Sequence, residues 1–143
     1  MGKPYNINGR TYVPAEDPSY RAEGIASWYG RDFHGRLTAN GEVYDMHSIS
    51  AAHTTLPLPS YVRVTNLENG RSIVVRVNDR GPYARSRVID LSIGTAKALD
   101  FYSRGSHACG SNMSDAPRSR AATIDMLMAT LREDRRRRHP RKS

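Results

Sequence analysis

Apolar and polar residues alternate most clearly in two neighbouring segments in the middle of the chain. The segment 61–67, "YVRVTNL", and the segment 71–79, "RSIVVRVND", are rich in β-branched residues and predict two strands. Asn69-Gly70 lies between them and suits the positive φ angles of a tight turn, so the pair predicts a β-hairpin. Three shorter runs are also typical of strands, namely "RTYV", "GIASWYG" and "VIDLS".

Apolar residues recur at helical spacing in residues 93–101, "IGTAKALDF", which predicts one short helix. The polar segment 31–46, "RDFHGRLTANGEVYDM", contains two glycines and predicts a long loop of the kind that carries function. Several short strands with a single helix favour a mainly β fold, in the form of a small barrel.

Four segments of the chain differ in composition and in hydrophobic pattern. Residues 1–23 predict an extended lead-in, and residues 24–101 hold the strands and the helix of the barrel. Residues 102–126 follow neither a helical nor a strand period and are typical of a linker. Residues 127–143 combine a short apolar piece with a basic tail, which we expect to be disordered.

Length and charge suit one small domain. The chain has 143 residues and a net charge of +8. Residues 132–143 hold seven Lys or Arg and two acids, so +5 of that charge lies in the tail. This favours a solvated end over a nucleic-acid contact, because no aromatic residues interleave with the arginines.

Cysteine content and hydrophobicity set further limits. Cys109 is the one cysteine, so no intrachain disulfide can form. No apolar run reaches membrane-spanning length, and the first residues match neither a signal peptide nor a lipobox. We therefore expect no transmembrane segment and no export signal in the chain as written.

Familiar catalytic motifs are missing from the sequence. It contains no G-x-S-x-G elbow, no P-loop and no H-E-x-x-H, and His34, His47 and His53 lack zinc-ligand spacing. We expect no metal and no organic cofactor. Two carboxylates, Glu42 and Asp79, instead lie beside glycines in loops that also carry aromatic residues. Carboxylates with nearby aromatics are typical of sites that cut or hold sugars.

Three stretches closely resemble the rare lipoprotein A family: "GIASWYGRDFHGRLTANGEVYDM", "SAAHTTLPLPSYVRVTNLENGRSIVVRVNDRGPY" and "RVIDLS". The resemblance runs from about Gly24 to Phe101, and the lead-in is similar to the segment that precedes the family's barrel. Members are bacterial septal peptidoglycan proteins with a double-psi β-barrel. The resemblance implies a lytic transglycosylase of the periplasm or cell envelope, whose partners are peptidoglycan glycan strands. We expect a monomer that binds no specific nucleic acid.

The resemblance also assigns roles to residues. Asp79, in N-D-R-G-P, falls on the family's essential acid and is expected to act as general acid and then as base. Glu42, in A-N-G-E-x-Y-D, falls on its second acid and would stabilise developing positive charge or tune Asp79. His53 falls on the motif histidine and would bind or orient the glycan. Six further residues are expected to bind substrate: Trp28, Tyr29, His34, Asn40, Asn78 and Arg80.

Each role has a structural alternative. Asp79 is also suited to accept backbone N–H groups in a turn or to pair with Arg80 or Arg76. Glu42 fits a solvated loop acid, and His53 fits a hydrogen-bonded structural histidine. We expect Trp28 and Tyr29 to serve either as core or as sugar platforms, and Asp90, in "VIDLS", to be part of the framework.

The position of Arg80 next to Asp79 is difficult to reconcile with Asp79 acting as a general acid. A close guanidinium lowers the pKa of a carboxyl group, whereas a general acid at neutral pH needs a raised pKa. We therefore expect Arg80 to point away from Asp79, or to hold the backbone or the substrate.

The sequence departs from the family pattern after the helix, where the closing strand is apparently missing. We hypothesise that residues 106–126 are translated in a shifted reading frame, because a shift by one base allows "LARVRVEYVGRAPLAGSDDRH", which contains an alternating strand. We then expect residues 103–126 to be poorly ordered and the domain to be destabilised or inactive. The rival functions are a non-catalytic glycan-binding module, as in expansins of the same barrel class, and, more weakly, a nucleic-acid-binding protein.

Overall fold

The computed structural model describes residues 3–29, 33–83, 87–104, 106–113 and 123–133. Most of the basic tail, with the disorder predicted for it, lies outside these residues. The elements within them are β1 (Tyr5–Ile7), β2 (Arg10–Tyr12), β3 (Arg21–Tyr29), β4 (Ser50–Ala52), β5 (Ser60–Asn66), β6 (Ser72–Asp79), β7 (Arg87–Ser92), α1 (Ile93–Ala98), a 3₁₀ turn (Tyr102–Arg104), β8 (Ser106–Met113) and α2 (Ile124–Met128).

Six strands form a closed barrel in the order β3-β7-β4-β6-β5-β8. Two pairs, β3 with β7 and β4 with β6, are parallel, and the remaining neighbours are antiparallel. The mainly β prediction is confirmed. Strands β1 and β2 form a separate antiparallel hairpin, so the predicted strand at "RTYV" is β2 and gains a partner in β1.

The β5–β6 hairpin supplies much of the core. Val62 lies opposite Val75, and Val64 lies opposite Ile73; all four are fully buried. Burying each such side chain stabilises the fold by about 1.5–3 kcal/mol. The alternation in the sequence therefore predicted both the hairpin and its inward face correctly.

Helix α1 begins directly after β7. Ser92 is its N-cap, and the Ser92 hydroxyl accepts a hydrogen bond from the Thr95 N–H at 3.2 Å. Gly94 is pressed against the preceding loop: a Cβ at this position would lie 2.5 Å from the carbonyl oxygens of His47 and Ser48. The helix thus fixes the end of the long polar loop that enters the barrel at β4.

The expectation of a missing closing strand is wrong, because β8 pairs with β3 on one side and β5 on the other. Backbone hydrogen bonds to two neighbours hold the strand, and two of its buried side chains are small. Cys109 and Ser111 are buried, and the Ser111 hydroxyl lies 2.7 Å from the Tyr20 hydroxyl. Helix α2 follows, and its Leu127 is buried in the core. Residues 105 and 114–122 lie outside the described residues.

The shifted-frame hypothesis remains a prediction. In the shifted string, Cys109→Val and Ser111→Val place larger apolar side chains on the two inward positions of β8. We expect a chain that carries this string at residues 106–126 to be more stable by no more than about 1 kcal/mol, since each added buried methylene contributes about 0.8 kcal/mol while Ser111→Val removes the hydroxyl that contacts Tyr20. Thermal unfolding of both chains measures the difference. An unchanged melting temperature, with a gene read that shows no compensating shifts, would contradict the hypothesis.

Candidate active site

A β-bulge near the end of β6 determines where Asp79 points. Ala51 pairs with Val77 and Ala52 pairs with Asp79, so Asn78 is an extra residue on β6. Val77 and Ala51 are buried in the core. Without the bulge, Asp79 would share the inward face of Val77; with it, Asp79 faces the same side as Ala52, outside the core.

Four neighbouring strands then present a row of side chains. Asp79 pairs with Ala52, Ala52 pairs with Asp90 on β7, and Asp90 pairs with Ser27 on β3. Asp79, Ala52 and Asp90 line one cavity of about 350 Å³. Since the residue between the two carboxylates is an alanine, the row leaves space above it for a ligand.

The Asp79 carboxylate is anchored through one oxygen. Its Oδ1 accepts hydrogen bonds from the Ala39 N–H at 3.0 Å and from the Arg80 N–H at 2.8 Å. These bonds match the turn role considered for Asp79. Within the described part of the chain, no hydrogen bond is made to Oδ2. The two hydrogen bonds therefore fix the orientation of the carboxyl group.

The backbone after Asp79 turns sharply. Gly81 has a φ of 133°, in a region that disfavours side chains, and the Gly81–Pro82 peptide bond is cis. The Arg80 side chain leaves this turn and donates from Nη1 to the carbonyl oxygens of His53 (3.2 Å) and Leu56 (2.6 Å). The expectation that Arg80 holds the backbone is confirmed.

Glu42 is held by a guanidinium and an amide. Arg76 donates to Oε1 of Glu42 from Nε at 3.1 Å and to Oε2 from Nη2, and Asn78 Nδ2 donates to Oε1 at 2.9 Å. The hydrogen bonds from Arg76 and, to a smaller extent, from Asn78 lower the pKa of Glu42. Glu42 is thus an ionised, paired carboxylate at neutral pH, and its partners lie on β6 beside Asp79.

His53 is buried and bound to its own loop. Its Nδ1 accepts hydrogen bonds from the backbone N–H groups of Thr55 (3.1 Å) and Leu56 (3.2 Å). Its ring packs edge-on against the ring of Tyr20, with centroids 5.0 Å apart. Burial, together with the charge of Arg80, lowers the pKa of His53 to about 4. A neutral imidazole with Nε2 protonated follows, and these contacts fit the structural alternative.

This pKa predicts acid sensitivity. Between pH 6.5 and about 4 the unfolded chain binds a proton at His53 and the folded chain does not, so stability is lost as pH falls through that window. The loss is of the order of 3 kcal/mol. His53→Asn should flatten the pH dependence, because an asparagine oxygen accepts the same local N–H bonds without titrating. Denaturant unfolding at pH 7, 5.5 and 4 tests this; equal slopes in both proteins would contradict it.

Tyr29 and Trp28, two of the other residues predicted to bind substrate, differ in where their side chains lie. Tyr29 lines the Asp79 cavity, and its buried hydroxyl has no hydrogen-bond partner among the described residues. Trp28 points elsewhere: its Nε1 donates to the Tyr102 carbonyl at 3.0 Å and its ring packs 4.6 Å from that of Tyr102. The core alternative for Trp28 therefore fits its contacts better than the sugar-platform role.

The remaining two side chains make local contacts in the long loop. His34 Nδ1 accepts the Met46 N–H at 3.1 Å, and Asn40 Oδ1 accepts the Thr38 hydroxyl at 2.7 Å. Asn40 and Arg80 also line a second cavity of about 410 Å³, which includes Lys3. Arg80 lines both cavities.

The prediction from sequence missed three residues that line the Asp79 cavity: Phe33, Tyr83 and Arg87. Asp90, expected to be framework, also faces the cavity. The Ser27 hydroxyl donates to Asp90 Oδ1 at 2.7 Å, Arg87 lies 3.2 Å from the same oxygen, and burial raises the pKa of Asp90. A signal for these positions was available in the sequence. Ser27 and Tyr29 are two residues apart on β3 and so lie on one face, and Asp90 pairs with Ser27.

The described ranges contain no group of three or more His, Cys, Asp or Glu side chains that could hold a metal ion. In the same ranges, none of the helices has the length and apolar character that crossing a membrane requires.

Comparison with known proteins gives consistent matches. The family described as "Lytic transglycolase" matches residues 21–110. The chain is 60% identical over 103 residues to an endolytic peptidoglycan transglycosylase RlpA of Pseudomonas aeruginosa, covering 71% of this chain and 30% of the relative. The RlpA of Vibrio cholerae is 54% identical over 104 residues, covering 72% and 40%. The chain thus spans about a third of these relatives.

Solved structures share the fold. The Streptomyces papain inhibitor aligns with a TM-score of 0.56 at 24% identity, covering 68% of this chain and 97% of the inhibitor. A mutant expansin of Clavibacter michiganensis in complex with cellohexaose aligns with a TM-score of 0.55 at 15% identity, covering 71% and 54%. Together with the closed barrel and the matched residues, these comparisons show that the chain belongs to the lytic transglycolase family of double-psi β-barrels, as its resemblance to rare lipoprotein A predicted.

Proposed function

We propose that this chain carries the catalytic barrel of an endolytic peptidoglycan lytic transglycosylase of the cell envelope. One observation supports the proposal above the others: the bulge at Asn78 directs Asp79 into a cavity, and two backbone N–H groups hold its carboxylate there through Oδ1. The identity to curated transglycosylases over the same residues adds support.

The reaction uses one acid–base group. Protonated Asp79 gives its proton to the oxygen that links C1 of MurNAc to GlcNAc, and the C1–O bond breaks as the sugar ring gains oxocarbenium character. The C6 hydroxyl of the same MurNAc attacks C1 and returns its proton to Asp79. The products are a GlcNAc with a free hydroxyl and a 1,6-anhydroMurNAc end. No water enters, because the nucleophile is already part of the substrate.

Glu42 and His53 act through Asp79 in this proposal. Glu42, clamped by Arg76 and Asn78, fixes the loop that brings the Ala39 N–H to Asp79. His53 orders the turn whose carbonyl groups accept hydrogen bonds from Arg80, and so holds that guanidinium on the backbone. In this proposal both are positioning residues, which for Glu42 agrees with the expected tuning of Asp79 and for His53 differs from the expected contact with the glycan. The domain acts as a monomer on glycan strands.

Digestion of purified sacculi, and of glycan strands with and without stem peptides, tests the proposal. Mass analysis of the released ends should find 1,6-anhydroMurNAc. Reducing MurNAc ends would instead identify a hydrolase. Binding without release would identify the rival function, a non-catalytic glycan-binding module.

A further inference from the structure

Two exposed aromatic side chains flank the Asp79 cavity. Phe33 is 48% exposed and Tyr83 is 37% exposed, and both line the cavity that contains Asp79. They are the aromatic members of the exposed large hydrophobic residues in the described ranges; the others are aliphatic and none of them lines this cavity. Two exposed aromatic rings at one cavity indicate a surface that is covered when a ligand binds.

Phe33 is supported from the barrel side. Its ring meets the ring of Tyr29 edge-on, with centroids 5.9 Å apart and an interplanar angle of 73°. Tyr29 in turn stacks on the buried ring of Tyr44 at 4.8 Å, and the Tyr44 hydroxyl donates to the Tyr29 carbonyl at 2.7 Å. Phe33 therefore rests on a chain of rings that ends in buried structure, although it lies in a loop.

Tyr83 is supported by the β1–β2 hairpin. Its ring lies 6.3 Å from that of Tyr5, at 75°, and 5.5 Å from that of Tyr12. Tyr5 and Tyr12 stack on each other at 5.2 Å, and the Tyr5 hydroxyl donates to the Thr54 carbonyl at 2.6 Å. The Arg80 guanidinium lies 6.0 Å above the Tyr5 ring. The hairpin is thus tied to the barrel at the point where it holds Tyr83.

The polar groups of the cavity show what kind of ligand fits between the two rings. The Tyr29 hydroxyl is buried without a hydrogen-bond partner in the described chain, which is costly unless a ligand supplies one. Asp79, Asp90 and Arg87 add acceptors and donors around it. Aromatic walls with a polar floor match a pyranose ring, which has apolar C–H faces and a rim of hydroxyl groups.

We propose that Phe33 and Tyr83 are the sugar-stacking walls of the glycan site, and that the β1–β2 hairpin belongs to that site because Tyr5 and Tyr12 position Tyr83. The inference rests on the proposed function for the identity of its ligand, the saccharide units next to the bond that Asp79 protonates. It also assigns a role to a segment that lies outside the barrel.

Binding of soluble peptidoglycan glycan strands to the Asp79→Asn protein, which does not turn the ligand over, tests the walls. Phe33→Leu and Tyr83→Leu, each in that background, should raise Kd about three- to tenfold, because stacking on an aromatic ring contributes at that level. Tyr83→Phe should stay within twofold. Met126→Ala is the matched control, since Met126 is an exposed apolar residue on α2 away from the cavity. A Kd within twofold of the parent for both leucine variants would overturn the inference.

A double-mutant cycle tests the hairpin. Tyr5→Leu alone should raise Kd about as much as Tyr83→Leu, and the double variant should be no weaker than Tyr83→Leu, since Tyr5 acts only through Tyr83. Additive effects would overturn the positioning role, with thermal unfolding used to verify that each variant is folded.

The two proposals fail in different ways. If the wild-type protein releases anhydro ends but the wall variants bind normally, the aromatic walls are wrong and the transglycosylase stands. If the wall variants lose binding and the wild type releases no anhydro ends, the walls stand and the catalytic proposal fails. A parent that binds no glycan strands overturns both.

Discussion

Asp79→Asn is expected to reduce the release of 1,6-anhydroMurNAc ends by about 10²- to 10⁴-fold, the usual contribution of a general acid–base group. Asparagine has the same shape, and its Oδ1 still accepts the Ala39 and Arg80 N–H groups that anchor Asp79. Its Nδ2 takes the place of Oδ2 and cannot donate a proton to a leaving oxygen. Glycan binding should persist because the cavity is unchanged.

The measurement is the initial rate of end release from sacculi by mass analysis, beside the binding of the same protein to glycan strands. Asp125→Asn is the control, because Asp125 is an exposed carboxylate on α2. Release by Asp79→Asn at more than a tenth of the wild-type rate would show that another group donates the proton.

Gly94→Ala should cause a large loss of stability. The added Cβ would lie 2.5 Å from the carbonyl oxygens of both His47 and Ser48, and these are backbone atoms that cannot rotate away. Either α1 or the loop must move, at a cost of about 2–4 kcal/mol. The Gly94 N–H also donates to the Met46 carbonyl at 2.9 Å, so the shift strains the end of the loop that carries Glu42.

Gly110→Ala is the matched control for this stability loss. A Cβ at Gly110 would meet Glu23 Cγ at 3.6 Å and Leu67 Cδ2 at 3.7 Å, which are ordinary contacts. Thermal or denaturant unfolding should therefore change by less than about 1 kcal/mol at Gly110 and by several times that at Gly94. Equal losses of stability in the two variants would mean that the backbone around Gly94 moves at little cost to accept the added methyl group.

Regular local patterns made part of the fold predictable. Alternating valines predicted the β5–β6 hairpin, and helical spacing after Ser92 predicted α1. The closing strand was missed for a physical reason. Cys109 and Ser111 alternate with outward residues as a strand requires, but small and polar side chains give no hydrophobic signal, and backbone pairing to β3 and β5 holds them.

The sequence motifs named candidate site residues but not the contacts between them. Asp79, Glu42 and His53 were the candidates, and the pairing of Glu42 with Arg76 joins positions 34 residues apart that no local pattern links. The direction of Asp79 depends on one extra residue in β6, which becomes visible only when the partner strand is in place. Phe33 and Tyr83 lie in loops, where periodicity carries no information about which residues share a cavity.

The position of β8 in the chain has a consequence for folding. Strand β3 comes early in the chain, but the neighbour that closes its free side is β8, whose Cys109 pairs with Gly24. Until β8 is in place, the other five strands form an open sheet whose two edges, β3 and β5, are free to pair with other chains. Completion of the barrel therefore requires a contact between distant parts of the chain, which is slow to form.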